Sequence, residues 1–255
     1  MTGQARLALA GVEVVLGYKN YIEQARPWLE GKEVLSSGMT REMERAGQAM
    51  DLALQGRRVA LVSGGDPGVY AMAAVVFELA RARGLALGTA PGALAVTVVP
   101  GVPAVTAAAS LLGAPLSHDF ACVSLSDRLT PWELIERRLD LAAQADFVIA
   151  LYNPKSKGRD WQYGRALELV GRWREPSTPT GVVTAAMRHD QRVTLTSLGQ
   201  AAQAQVGMQT IVIIGNSQSF SWEGRMVTPR GYLRKYGGGS PAPGPMKPRG
   251  HRPPA

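Results

Sequence analysis

Apolar residues in this chain come in short runs, each closed by a polar or glycine-bearing turn, and the runs alternate with stretches that carry helix formers. The short runs, several of them rich in β-branched residues, predict strands over residues 12–16, 59–62, 93–99, 121–124, 147–151, 180–184, 192–196 and 209–214. The intervening stretches predict helices over residues 4–10, 41–55, 69–83, 105–112 and 160–173, with another entered at Pro131. End signals sharpen some of these. Thr40 stands before Glu42 and Glu44 as a helix cap, and Gly56 can end the same helix. Thr130, Pro131 and Glu133 make a capping box with proline at the first helical position. Arg41 and Arg45 share a helical face, where such a pair reads as solvated charge. Strands alternating with helices predict the α/β class.

The most informative stretch is residues 59–70, VALVSGGDPGVY. Its apolar start reads as a buried parallel strand, and Ser63 to Gly68 as a tight loop into a helix. Glycines there allow positive φ and keep side chains out of the way of a ligand. A glycine-rich turn at the carboxyl end of a parallel strand is a standard place for a ligand, although the same spacing also serves as a plain βα turn.

Bulk properties narrow the partners. The chain has 255 residues, enough for one large domain or two small ones. Cys122 is its single cysteine, which excludes an internal disulfide framework and a multi-cysteine metal site and suits a reducing, cytoplasmic setting. His118, His189 and His251 are scattered, and no metal site is expected. The formal net charge is +8, which fits an anionic partner. Its cations are dispersed with few aromatics between them, so a small anionic substrate ranks above nucleic acid. Residues 84–117 carry no charge, but Pro91, Gly92, Pro100, Gly101 and Pro103 interrupt them, and no membrane span is expected. No signal peptide pattern stands at the start.

SGGDPGVYAMA resembles the signature of the tetrapyrrole (corrin/porphyrin) methylases. PGVPA at 100–104, LGAPLSHDF at 112–120, SLSDRLTPWE at 124–133, LYNP at 151–154 and VTPRGY at 227–232 resemble the same family in the same order. The resemblance covers roughly residues 1–236. It implies two α/β domains with the cofactor cleft between them, at residues 1–116 and 117–236, joined by a linker near residues 112–119. Residues 237–255 read as a disordered Gly/Pro/Arg-rich tail. The family opens on a strand and a first Gly-rich loop that have no counterpart here, so the resemblance implies a chain that starts late.

The implied activity is transfer of a methyl group from S-adenosylmethionine (SAM) to a ring carbon of a corrin precursor. The branch resembled methylates precorrin-3B, or cobalt-factor III, at C-17 with ring contraction to precorrin-4 or cobalt-factor IV, as a homodimer. By resemblance Gly64, Gly65, Asp66 and Val69 line the donor, with Pro103, Ala104, Asn153 and Ala186 beside them. Pro103 stands where the family carries threonine, which removes a hydroxyl contact. Asp66 has a local alternative as a helix cap. Lys19, in a GYKNY segment, and Lys155, Lys157 and Arg159 are candidates for substrate carboxylates, with solvated charge as the alternative. The acid or base for ring contraction is unassigned; His118 is a candidate, and a hydrogen-bonded linker histidine is the competing reading. Other readings are a sister methylase acting at another ring carbon, an RNA ribose methylase of the same superfamily, and a truncated chain without activity.

Overall fold

Val14, Val15 and Leu16 are fully buried because their strand, β1 (Val14–Tyr18), runs between two parallel neighbours with apolar clusters on both faces. A computed structural model describes residues 1–237; most of the tail expected to be disordered, His251 included, lies outside the described residues. The chain divides into two compact units, one at Met1–Pro103 and one from Ala104 onward.

The first unit is built on a sheet of order β2-β1-β3, with β2 at Glu33–Ser37 and β3 at Val59–Val62. All pairs are parallel, and Val14 stands opposite both Glu33 and Val59. The carboxyl ends of the three strands therefore share one edge. On one face Val15 packs with Leu9 of α1 (Gly3–Ala10) and with Ile22 and Ala25 of α2 (Lys19–Ala25). On the other, Val14 and Leu16 pack with Ala49 of α3 (Glu42–Leu54). Met50 of α3 meets Ala80 of α4 (Met72–Ala82) in a third cluster.

Three local expectations fail in this unit. Residues 93–99 form no strand; their one ladder contact is a bridge between Leu87 and Leu94. A β-branched run becomes a strand only where a neighbour offers a matching edge. Thr40 does not cap α3. It sits at φ 66°, its hydroxyl donates to the Met39 carbonyl, and Arg41 takes the cap position. Helix α4 starts at Met72 rather than at 69, because Tyr70 adopts φ 51° and Ala71 is extended.

The second unit carries a mixed sheet of order β5-β6-β9-β7-β8. These are β5 (Phe120–Ser124), β6 (Val148–Tyr152), β7 (Pro179–Thr184), β8 (Arg192–Ser197) and β9 (Thr210–Ile214). β5 and β6 are parallel, while β9 lies antiparallel to both β6 and β7. Alternation along the strands sorts the core into two faces. Ile149, Leu151, Val182, Val212 and Ile214 meet α6 (Trp132–Gln144) and α7 (Gln162–Gly171). Val148, Ala150, Val183, Ile211 and Ile213 meet α5 (Ala104–Leu112). Helix α5, read from sequence as part of the N-terminal domain, thus packs on the second unit's sheet. Part of the expected linker is a short strand, β4 (Gly113–Ala114), paired with β11 (Arg225–Val227); β11 also pairs with β10 (Phe220–Trp222). The capping box at Thr130 does not form: Pro131 itself holds the cap position, with no side-chain bond. A final helix, α8, covers Tyr232–Tyr236. Among the described residues no helix is long and apolar enough to cross a membrane.

Candidate active site

In the first unit the loop 63–68 leaves the carboxyl end of β3, and Asp66 organises it. One carboxylate oxygen accepts the Gly68 N–H at 2.8 Å, and the other accepts the Gly101 N–H at 2.9 Å. These two backbone donors, Gly101 first, hold the Asp66 carboxyl below its usual range. Asp66 therefore neither caps α4 nor has an idle oxygen; it joins two loops that are 35 positions apart. The joint is tight: a β-carbon on Gly101 would fall 2.0 Å from the Gly65 carbonyl oxygen. At Gly64 the same addition would meet the Tyr21 ring at 2.6 Å, and Tyr21 in turn stacks edge-on with Tyr18 at 5.4 Å. Gly65 is exposed and lies at φ 77°. Val69 follows half-buried, its N–H donating to the Asp66 carbonyl. The result is main chain presented at the carboxyl edge of a parallel sheet, backed by the Tyr21 ring at Gly64 and exposed at Gly65, a surface suited to gripping a ligand through backbone groups. Lys19 opens α2 and is exposed. Pro103 closes this unit.

In the second unit Ala104 opens α5, and the next N–H, that of Val105, donates to the Tyr152 hydroxyl at 3.0 Å. Strained backbone gathers at the carboxyl ends of β6 and β7. Asn153 lies at φ 51°, and Ala185 and Met187, flanking Ala186, lie at 50° and 60°. Non-glycine residues hold this region only where their surroundings impose it, and such positions cluster at ligand sites. The partners are visible here. Asn153 donates through Nδ2 to the Ser124 hydroxyl at 2.9 Å, and its carbonyl accepts from Arg159. Ala185 N–H donates to the Gln209 carbonyl at 2.9 Å, and Met187 N–H to Gln191 Oε1 at 2.8 Å.

The cationic loop after Asn153 splits in two. Lys155 and Lys157 are exposed, whereas Arg159 is buried and spends Nη1 on the carbonyls of Leu125 and Asn153. Burial pushes its guanidinium down from the ordinary value, with Asp127 opposing. Arg159 shapes the Asn153 turn from within, a role that spacing alone does not reveal. Lys155 lines a cavity of about 760 Å³ with Asp160, Thr184, Arg192, Met208 and Thr210. Tyr163 forms part of its wall; burial raises its hydroxyl pKa to about 12, and that hydroxyl donates to the Ala201 carbonyl. His118 lies outside these groups, its Nδ1 accepting the Asp119 N–H at 2.8 Å. Among the described residues no cluster of His, Cys, Asp or Glu could hold a metal ion. Sequence reasoning missed Tyr21 and Tyr152 as supports, although both stand inside the quoted GYKNY and LYNP segments.

Residues 1–202 match the family described as Tetrapyrrole (Corrin/Porphyrin) Methylases. The chain is 45% identical over 232 residues to the probable cobalt-factor III C(17)-methyltransferase of Salmonella typhimurium, covering 91% of this chain and 93% of that protein. It is 44% identical over 236 residues to the cobalt-factor III methyltransferase of Priestia megaterium, covering 92% of this chain but spanning only 43% of that longer relative. Among solved structures, the methyltransferase CobJ superposes with a TM-score of 0.82 at 35% identity, over 90% of this chain and 93% of that one. The uroporphyrin-III C-methyltransferase of Thermus thermophilus, complexed with S-adenyl homocysteine, shares the fold at a TM-score of 0.63 and 23% identity, over 84% of this chain and 90% of its own. The chain belongs to the tetrapyrrole (corrin/porphyrin) methylase family.

Proposed function

We propose that the chain is a SAM-dependent C-methyltransferase of cobalamin biosynthesis. It methylates precorrin-3B or cobalt-factor III at C-17, with contraction of the macrocycle to precorrin-4 or cobalt-factor IV. The observation that carries this reading is the 45% identity with the Salmonella relative over 93% of that protein. The reading includes a cytoplasmic homodimer acting on an anionic tetrapyrrole.

When bound, SAM supplies an electrophilic methyl group on a sulfonium centre. The chain's own part is chiefly positional, because methyl transfer is an in-line displacement that needs no protein nucleophile. Gly64 and Gly65 offer main chain for holding the donor, and the Asp66 carboxylate keeps that loop in shape through Gly68 and Gly101. Asn153 and Ala186, in the strained turns after β6 and β7, are the second unit's own candidate ligand positions. Lys19, Lys155 and Lys157 are exposed cations suited to macrocycle carboxylates.

The test is incubation with labelled SAM and either macrocycle, read by mass spectrometry, alongside calorimetry of SAM alone. The expected outcome is saturable SAM binding and a product heavier by one methyl group, with loss of the native ring's absorbance. A folded protein that binds SAM but modifies neither macrocycle would remove the C-17 assignment. A folded protein that does not bind SAM would remove the methyltransferase reading itself.

A further inference from the structure

Arg45 was read from sequence as solvated charge, yet it is only 4% exposed. It projects from α3 toward the carboxyl end of β2 and the first turn of α4. Its Nε donates to the Ser37 hydroxyl at 2.8 Å, Nη2 to the Gly38 carbonyl at 2.8 Å, and Nη1 to the Met72 sulfur at 3.8 Å. A guanidinium carries five N–H donors, and thioether sulfur is a weak acceptor. Two of the five have no acceptor among the described residues, a third has only sulfur, and no carboxylate pairs with the group. Glu44, its neighbour in the chain, is taken by Arg41 at 2.6 Å.

A buried cation without a counter-charge is costly, and native proteins rarely keep one without a use. Its location bears on that use. Ser37 ends β2 at the ligand edge of the parallel sheet, and Met72 begins the helix that leaves the Gly64–Asp66 loop. Gly38, whose carbonyl it holds, is exposed, so the guanidinium lies one residue beneath the surface. The covering turn is strained, with Thr40 at φ 66°. Held by Ser37 and Gly38, the guanidinium is pre-organised and keeps unused N–H donors for an incoming anion.

We infer that Arg45 is a substrate-recognition residue that takes a carboxylate of the tetrapyrrole, which supplies the counter-charge that the guanidinium lacks among the described residues. The inference rests on the methyltransferase reading above and adds a specific anion contact to it. It is tested by titrating uroporphyrin III, an octacarboxylic tetrapyrrole, and SAM separately into the wild-type chain, Arg45→Gln and Arg45→Lys, with melting curves for each. Arg45→Gln is expected to weaken porphyrin binding roughly tenfold or more, with Arg45→Lys intermediate and SAM affinity within about twofold of wild type. Unchanged porphyrin affinity in Arg45→Gln overturns the inference. So does a parallel loss of porphyrin affinity, SAM affinity and melting temperature, which marks a purely structural arginine. If Arg45→Gln does not fold, Arg45→Lys decides, and porphyrin affinity equal to wild type counts against the inference. A wild-type chain that binds SAM but no porphyrin overturns this inference and leaves the methyltransferase reading standing. One that binds neither removes the underlying methyltransferase reading.

Discussion

At the scale of single residues, Asp66 shows how a motif position acquires its role. The sequence offered two uses for it, donor contact or helix cap, and the structure shows a third, in which both oxygens fasten backbone N–H groups. The bond to Gly68 is local, but the bond to Gly101 depends on a loop far along the chain that spacing cannot register. Because those bonds favour the ionised form, the folded-state pKa lies below the unfolded one. The stabilisation is therefore fully present above the unfolded value, about 4, and is lost as pH falls through the lower folded value. Asp66→Asn is expected to destabilise the chain near neutrality and to leave wild type and variant converging as the solution becomes acidic. Urea unfolding across an acidic pH series measures this; a constant difference between the two at every pH would show that the carboxylate's charge contributes nothing.

Among the elements, the strands with an apolar or β-branched run were legible wherever a partner edge exists, and the polar edge strand β2 and the short strands β4, β10 and β11 were not. Val148–Tyr152 and Thr210–Ile214 carry β-branched, apolar runs that burial on both faces requires, and they sit inside the sheet. Residues 93–99 carry the same kind of run without a partner edge. The caps at Thr40 and Thr130 were misread for a related reason: a serviceable side chain is overruled when the tertiary path sets a different entry angle. Arg174, just beyond α7, illustrates how elements are joined. Fully buried, it donates to the carbonyls of Ala143 at 2.7 Å, Phe147 at 3.1 Å and Gly215 at 3.3 Å, and pairs with Asp146 at 3.2 Å. It thereby ties the end of α6 and the approach to β6 to the end of β9. Arg174→Met is expected to cost roughly 3–5 kcal/mol, since it leaves several buried carbonyls without their donor and takes the cation from Asp146, which keeps only its bonds from Ser217 among the described residues. Urea denaturation measures it, and a loss below about 1 kcal/mol would show that water replaces the arginine without penalty.

For the molecule as a whole, a net charge of +8 predicts attraction for a polycarboxylate macrocycle. The apparent KM for the tetrapyrrole is expected to rise several-fold as ionic strength goes from about 50 to about 300 mM, while SAM, itself cationic at sulfur, gains no such dependence. A salt-independent KM would confine recognition to buried contacts. The sequence by itself determined the α/β class, most strand positions, the Gly-rich loop at the end of β3 and the family, because periodicity, turn chemistry and motif wording are local properties. Tertiary structure alone decided that Arg45 and Arg159 turn inward while Lys155 and Lys157 stay out, that Asp66 reaches Gly101, and that α5 joins the second unit's core. Each of these depends on which distant segment supplies the neighbouring wall or the waiting hydrogen-bond partner, and a linear pattern carries no record of that.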